Sequence, residues 1–288
     1  MAFKILVTGA FGQLGTDCNK ILSEKNHVTV CSHEQMDITI PENVNVALMN
    51  LKPDIIINCA AYTRVDDCET KIDFAYKVNS EGPEILARYA NQIGATLVHI
   101  STDYVFDGNL EVPQGYVETD SPNPVSVYGK SKYEGEKAIV SETDHYVIIR
   151  TSWLFGISGK NFLKTIYHKA VSDHTKALKI INTQYGSFTH TIHLARQIQT
   201  LIDSKATGIY HASGEGYCTW YEGARYFFNA MSIHNDLIPC TEKEFPTKAV
   251  RPQNSILDNR RLKDEHMNEI PQWQENIDSF VRIFKKEI

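Results

Sequence analysis

The chain has 288 residues, 42% of them hydrophobic and 22% charged, and its 35 acidic side chains outnumber 29 basic ones for a formal net charge of −6. That length holds one large domain or two unequal ones, each able to bury a core. The charges are mixed along the chain, with no Lys/Arg run or basic stripe to suit nucleic acid or an anionic membrane, although a few local cations can still hold a small anion.

The opening apolar run breaks at Thr8-Gly9 after five residues, too short for a signal peptide and suited to a first β-strand. No 18-residue apolar span follows, so a soluble, cytoplasmic protein is expected. Phe3–Val7 reads as that strand and leads into a glycine-rich turn, after which Leu14, Cys18, Ile21 and Leu22 fall at helical spacing. His27–Cys31 is a second strand, and the β-branched run Asp54–Asn58 a third. Val78, Ile85, Leu86, Tyr89 and Ile93 mark a helix before the strand Thr96–Ile100. A helix from about Tyr128 leads to the strand Tyr146–Arg150. Continuously apolar strands separated by helices predict an α/β fold, a Rossmann-type doubly wound parallel sheet covered on both faces.

Beyond Arg150 the pattern is less regular. Helical periods at Phe162–Val171 and Ile192–Ile202 flank a strand at Leu178–Asn182, and a further strand covers Ile209–Ala212. The aromatic segment Trp220–Phe228 reads as core, and a last helix starts near Trp273. This half is expected to be a smaller α/β domain over the sheet's C-terminal edge. The boundary near residue 151 is soft, because the chain can cross back to the first domain. The six cysteines show no CxxC or zinc-ribbon spacing and read as reduced, mostly buried thiols.

Three motifs carry chemistry. Gly9, Gly12 and Gly15 form a GxxGxxG on the first strand-to-helix turn, where glycine lets the backbone approach a pyrophosphate that meets the helix N-terminus. Alone this is a weak signal, equally a tight turn; its place in a βαβ unit points to a dinucleotide. Residues 1–150 are then the dinucleotide-binding domain and 151–288 mainly the substrate-binding one. The second strand ends in Cys31-Ser32-His33, without the carboxylate that would bind a ribose 2′-hydroxyl, so NADPH is permitted beside NADH. Asp37, slightly later, is expected near the adenine.

Tyr128 and Lys132 stand at i,i+4, one face of a helix. A tyrosine with a pKa near ~10 matches neutral proton transfer poorly, and a three-unit shift by a neighbouring cation takes roughly 4 kcal/mol. Tyr128 is the expected proton donor to a carbonyl receiving hydride. Ser101–Phe106 lies just beyond the strand Thr96–Ile100, where a hydroxyl can polarise that carbonyl or simply cap the strand.

These strings, with Asn58–Thr63, Arg150–Trp153, Trp220-Tyr221 and Arg251–Ser255, resemble the extended short-chain dehydrogenases/reductases. Among them the chain is similar, nearly end to end, to the dTDP-4-dehydrorhamnose reductase family. The resemblance implies reduction of the 4-keto group of dTDP-4-dehydro-L-rhamnose by NADPH or NADH, for cell-surface polysaccharide biosynthesis. It implies a catalytic trio of Thr102, Tyr128 and Lys132. Gly9, Gly12, Gln13, Leu14 and Gly15 would hold the pyrophosphate, with Asp37 and Ile38 near the adenine. Ala61, Tyr62 and Thr63 would line the cofactor path, and Lys132 would also bind the nicotinamide ribose. Asp103, Trp153, Thr63 and Val65 would meet the sugar, and Arg251 the diphosphate of the nucleotide-sugar.

One segment departs. The family's Asp-Gln-x-Gly-x-Pro-Thr stands here as Thr183–Thr189, with Thr183 for Asp and Phe188 for Pro, which leaves the exact sugar open. A related 4-ketoreductase, an epimerase or dehydratase using Asp103 as an extra acid, and a non-catalytic regulatory subunit are the alternatives. The intact trio argues against the last. Some relatives are described as metal-linked dimers, so a homodimer is admitted. No metal-ligand set is expected here: His190 and His193, at i,i+3, lack a third ligand and read as solvated or capping.

Overall fold

The computed structural model describes residues 2–288. Its centre is a six-stranded parallel sheet. The first five strands in sequence are β1 (Lys4–Thr8), β2 (His27–Cys31), β3 (Ile55–Asn58), β4 (Thr96–Thr102) and β5 (Tyr146–Thr151). The sixth is Gly208–His211, and the spatial order is 208–211, β5, β4, β3, β1, β2. The sequence placed the end of β4 at Ile100. It runs two residues further, to Thr102, because Ser101 and Thr102 pair in register with Arg150 and Thr151 of β5.

β3, β4 and β5 are buried along almost their whole length, as strands covered by helices on both faces must be. On one face, Gln13–Leu22 packs against Thr191–Asp203, and Ile5, Val7, Leu14, Ile57, Val98, Ile149, Leu194 and Ile198 share one core. On the other, Leu6, Val44, Leu48, Ile56, Leu86, Leu97 and Ile148 form a second. The helix Val127–Glu142 is fastened to the sheet by a buried ion pair, Arg150 Nη2 to Glu136 Oε2 at 2.7 Å, with Ser101 Oγ donating to the same carboxylate.

Past residue 151 the chain serves two bodies. Thr191–Asp203 and Gly208–His211 complete the sheet layer. Phe162–Ser172, Trp220–Met231 and Trp273–Phe284 enclose a separate aromatic core of Phe155, Phe188, Phe227, Phe228 and Phe280. The crossing back comes from a short, apolar Gly-Ile-Tyr-His strand that pairs with β5 from Val147 to Arg150. All six cysteines are free thiols, five of them buried. No helix is long and apolar enough to cross a membrane among the described residues.

Candidate active site

A cavity of about 500 Å³ opens at the C-terminal ends of β1, β3, β4 and β5, between the sheet and the aromatic lobe. Parallel α/β sheets bind ligands at that edge. The glycine turn forms one end. Gly9 has φ +61°, and a Cβ there would lie 2.6 Å from Ala60 N; Gly15 has no room for a Cβ against Gly9 O and Ala10. Gly12 caps Gln13–Leu22 with no side-chain cap bond, which leaves the first N–H groups of the helix free for an anion. Gln13 does more than line the turn. Its Oε1 accepts from Gly156 N and Asn161 Nδ2, both at 3.1 Å, and so ties the turn to the opposite lobe.

The floor holds Thr102, Tyr128 and Lys132. Ser126 accepts from Gly129 N at 3.1 Å and starts the helix, which sets Tyr128 and Lys132 one turn apart with little exposure. Gly129 lets that helix seat directly on Tyr104 O, where a Cβ would clash. Burial pushes the Tyr128 phenol above its usual value, opposed by hydrogen bonding with Thr102. Tyr128 therefore holds its proton at neutral pH. Lys132 is lowered to about 8 by burial, against the favourable charge of Glu136. Its Nζ sits 2.7 Å from Ile100 O and 3.0 Å from His99 Nε2.

Next to Thr102, Asp103 is buried and pushed up to about 6, chiefly by desolvation. Its Oδ1 accepts from Thr102 Oγ1 at 2.9 Å, whereas Oδ2 has no partner at bonding geometry. The Ser255 hydroxyl beside it turns instead to Tyr185 O at 3.3 Å.

The far wall is aromatic. Trp153 stacks on Trp220 with ring centroids 3.7 Å apart and takes the edge of Phe188 at 5.2 Å. Its backbone has φ +43°, an uncommon conformation for a bulky side chain and one held here by packing on three sides. Gly186 lies under the indole, where a Cβ would come within 2.5 Å of the ring. The departure at Phe188 thus props up the tryptophan wall. At the rim, Arg251 Nη2 pairs with Asp66 Oδ2 at 2.9 Å, while its buried Nε has no partner.

The cavity brings together Gly9, Gly12, Gln13, Leu14, Gly15, Ala61, Thr63, Val65, Thr102, Asp103, Tyr128, Lys132, Trp153 and Arg251. Three other expected residues lie outside it. Asp37 turns its carboxylate to Thr39 N and Oγ1 at 2.9 and 2.8 Å, with His33 Nε2 3.7 Å away. Ile38 is core, packed over Gly82. Tyr62 sets its N–H on Asn79 and its ring edge on Phe74.

The sequence reading missed Trp220, taken for core, because an aromatic at helical spacing looks the same in a core and on a cavity wall. It also missed Asp66, which carries no signal of its own on the four-residue helix Val65–Cys68. His190 is not solvated, whereas His193 is partly exposed. His190 is buried against Phe155, His193 Nδ1 lies 2.9 Å from Asn276 Oδ1, and burial keeps both neutral. No group of three or more metal-ligating side chains occurs among the described residues.

Comparison with known proteins agrees in one direction. A family model described as the RmlD substrate binding domain matches residues 3–286. The spore coat polysaccharide biosynthesis protein SpsK of Bacillus subtilis is 38% identical, covering 91% of each chain. The dTDP-4-dehydrorhamnose reductase structure from Clostridium acetobutylicum superposes with a TM-score of 0.95 at 40% identity, over 98% of this chain and 99% of that one. The Bacillus anthracis dTDP-4-dehydrorhamnose reductase in complex with NADP gives 0.94 at 36%, over 97% and 99%. From one end to the other, this chain belongs to the RmlD family of dTDP-4-dehydrorhamnose reductases.

Proposed function

We propose that the chain reduces the 4-keto group of dTDP-4-dehydro-L-rhamnose to give dTDP-L-rhamnose, using NADPH or NADH in the cytoplasm. The observation that carries this reading is the convergence of a proton-holding Tyr128, Thr102 and Lys132 on one cavity with an uncapped glycine turn. The full-length relatives named as dTDP-4-dehydrorhamnose reductases, one of them holding NADP, supply the substrate and cofactor class.

The cradle at Gly9, Gly12 and Gly15 fits a dinucleotide pyrophosphate, with Gln13 and Leu14 at the helix start and Ala61 and Thr63 along the path. When bound, the reduced nicotinamide supplies hydride to C4. Tyr128 gives its phenolic proton to the ketone oxygen, a general-acid step worth about 10²–10⁴ in rate. Thr102 holds that oxygen beside the phenol. Lys132 binds the nicotinamide ribose and stabilises the phenolate left behind. Trp153, Val65 and Asp103 contact the sugar, and the partly exposed guanidinium of Arg251 takes a diphosphate oxygen.

The end of β2 supports use of NADPH. It carries no carboxylate, and Ser32 and His33 form an open turn in which His33 is exposed. Asp103, with its unpartnered oxygen, is what favours an epimerase or dehydratase as the second reading.

The test is to mix the purified chain with NADPH or NADH and a panel of nucleotide-linked 4-keto-6-deoxyhexoses, following cofactor oxidation and identifying products. Net reduction, fastest with dTDP-4-dehydro-L-rhamnose, is expected, with NADPH at least as good as NADH. Sugar isomerised or dehydrated without net cofactor oxidation would replace the reading by the second one.

A further inference from the structure

A row of side chains crosses the sheet beneath the cavity floor at a single register. Thr8 of β1 stands opposite Asn58 of β3, and Asn58 opposite His99 of β4. Thr8 Oγ1 donates to Asn58 Oδ1 at 2.7 Å, Asn58 Nδ2 lies 3.0 Å from His99 Nδ1, and His99 Nε2 lies 3.0 Å from Lys132 Nζ. None of the four is more than 2% exposed.

One fixed donor orients the whole row. Ala60 N–H can only donate, and it meets Asn58 Oδ1 at 3.1 Å. The amide nitrogen of Asn58 therefore faces His99 and donates, so Nδ1 accepts. A neutral imidazole carries its single hydrogen on the other nitrogen, here aimed at Lys132. An ammonium has no lone pair to receive that hydrogen; an amine does, and still donates to Ile100 O.

We propose that His99 is a positioning residue for Lys132: through the tautomer that Asn58 imposes, it aims an N–H at Nζ and so eases loss of the ammonium proton. Burial holds His99 neutral, well below its usual value, and brings Lys132 to about 8, in keeping with that geometry. The row ends at buried Thr8, so it is a brace and not a proton path to solvent.

The meaning in turnover rests on the ketoreductase reading. Once Tyr128 has protonated the ketone, a lysine that yields its proton readily returns one to the phenolate. Lys–NH₃⁺ and Tyr–O⁻ become Lys–NH₂ and Tyr–OH, and the amine takes the one proton consumed per turnover from water entering the open cavity.

Other groups bear on this balance. Glu136, on the same helix and neutralised by Arg150 of β5, favours the ammonium, as does Cys59 beyond β3. Asp103 and Tyr104 of the turn after β4, and Cys68, act on Tyr128. From the segment Lys77–Glu81, Asn79 faces Ser131 and brings no charge.

The test is ¹⁵N NMR of the sugar-free protein labelled at histidine and lysine. His99 and Lys132 are assigned by the signals lost in His99→Leu and Lys132→Met. The expected result is an Nε2–H tautomer for His99 at neutral pH and a Lys132 that titrates near 8. Asn58→Asp keeps an acceptor for Ala60 N–H but turns a second acceptor to His99. It should switch the tautomer to Nδ1–H and raise the Lys132 titration by at least one pH unit. The added carboxylate raises it through charge as well, so the same substitution in His99→Leu measures charge alone. In kinetics, the alkaline limb of kcat should move with Lys132 while the sugar KM stays put. An Nδ1–H tautomer in the unmodified chain overturns the inference even if no variant folds. A shift no larger with His99 present than without it overturns it too. NMR uses no sugar, so an inactive chain would sink the ketoreductase reading and leave these outcomes standing.

Discussion

The floor of the cavity and its rim are built on opposite plans. Floor groups ride on β4 and on the helix Val127–Glu142, are nearly inaccessible, and are bonded from below by protein: Lys132 by Ile100 and His99, Thr102 by Asp103 and Tyr104. At the rim, Arg251 is partly exposed and pairs with the half-exposed carboxylate of Asp66. Bonding from below fixes a geometry before any ligand arrives, which suits proton transfer. A loosely committed cation suits capture and release. Chemistry and capture should therefore separate in measurement, the floor governing kcat and the rim KM.

The largest expected effect is at the floor. Tyr128→Phe removes only the proton-donating oxygen and should lower kcat about 10²- to 10⁴-fold. Calorimetric affinity for NADPH should be unchanged; turnover within a few-fold of the unmodified chain would disqualify Tyr128 as the acid. Lys132→Met should reduce turnover somewhat less and also weaken NADPH binding, because one amine serves both phenol and ribose. Unaltered cofactor affinity would cancel the second role.

At the rim, Arg251→Ala removes a charge-assisted contact worth on the order of 1.5–3 kcal/mol, or roughly ten- to a hundredfold in KM for the nucleotide-sugar. The kcat and the NADPH affinity should hold. Steady-state kinetics would erase the floor–rim distinction if the loss fell on kcat instead.

The smallest effect concerns stability. Burial raises Asp103 to about 6, so between about pH 4 and 6 the folded chain keeps a proton that the unfolded chain has released. Stability from this carboxyl is full below that window and is lost as pH rises through it. Asp103→Asn should gain on the unmodified chain across the window, on the order of 1 kcal/mol for each pH unit crossed, read as Tm against pH. A constant Tm difference would place the proton elsewhere.

The sheet was legible because buried parallel strands are written as unbroken apolar runs, as at Ile55–Ile57 and Val147–Ile149. The glycine end and the floor were legible because the glycine trio and the Tyr128/Lys132 pair each need a fixed spacing on one element. What escaped depends on contacts between distant segments. Asp66 matters only because residue 251 arrives beside it, and Trp220 only because Trp153 stacks on it. His99 interrupts an apolar strand and looks like noise until Asn58 and Lys132 are seen on either side.

Gly186 beneath the Trp153 ring carries a consequence for evolution. With no space for even a methyl group there, the two positions form a single inherited unit. A lineage that shrinks the tryptophan, and with it the wall facing the sugar, releases position 186 to drift. One that keeps the indole must keep the glycine. Among related chains, the residue at 186 is then a readable proxy for whether that wall still stands.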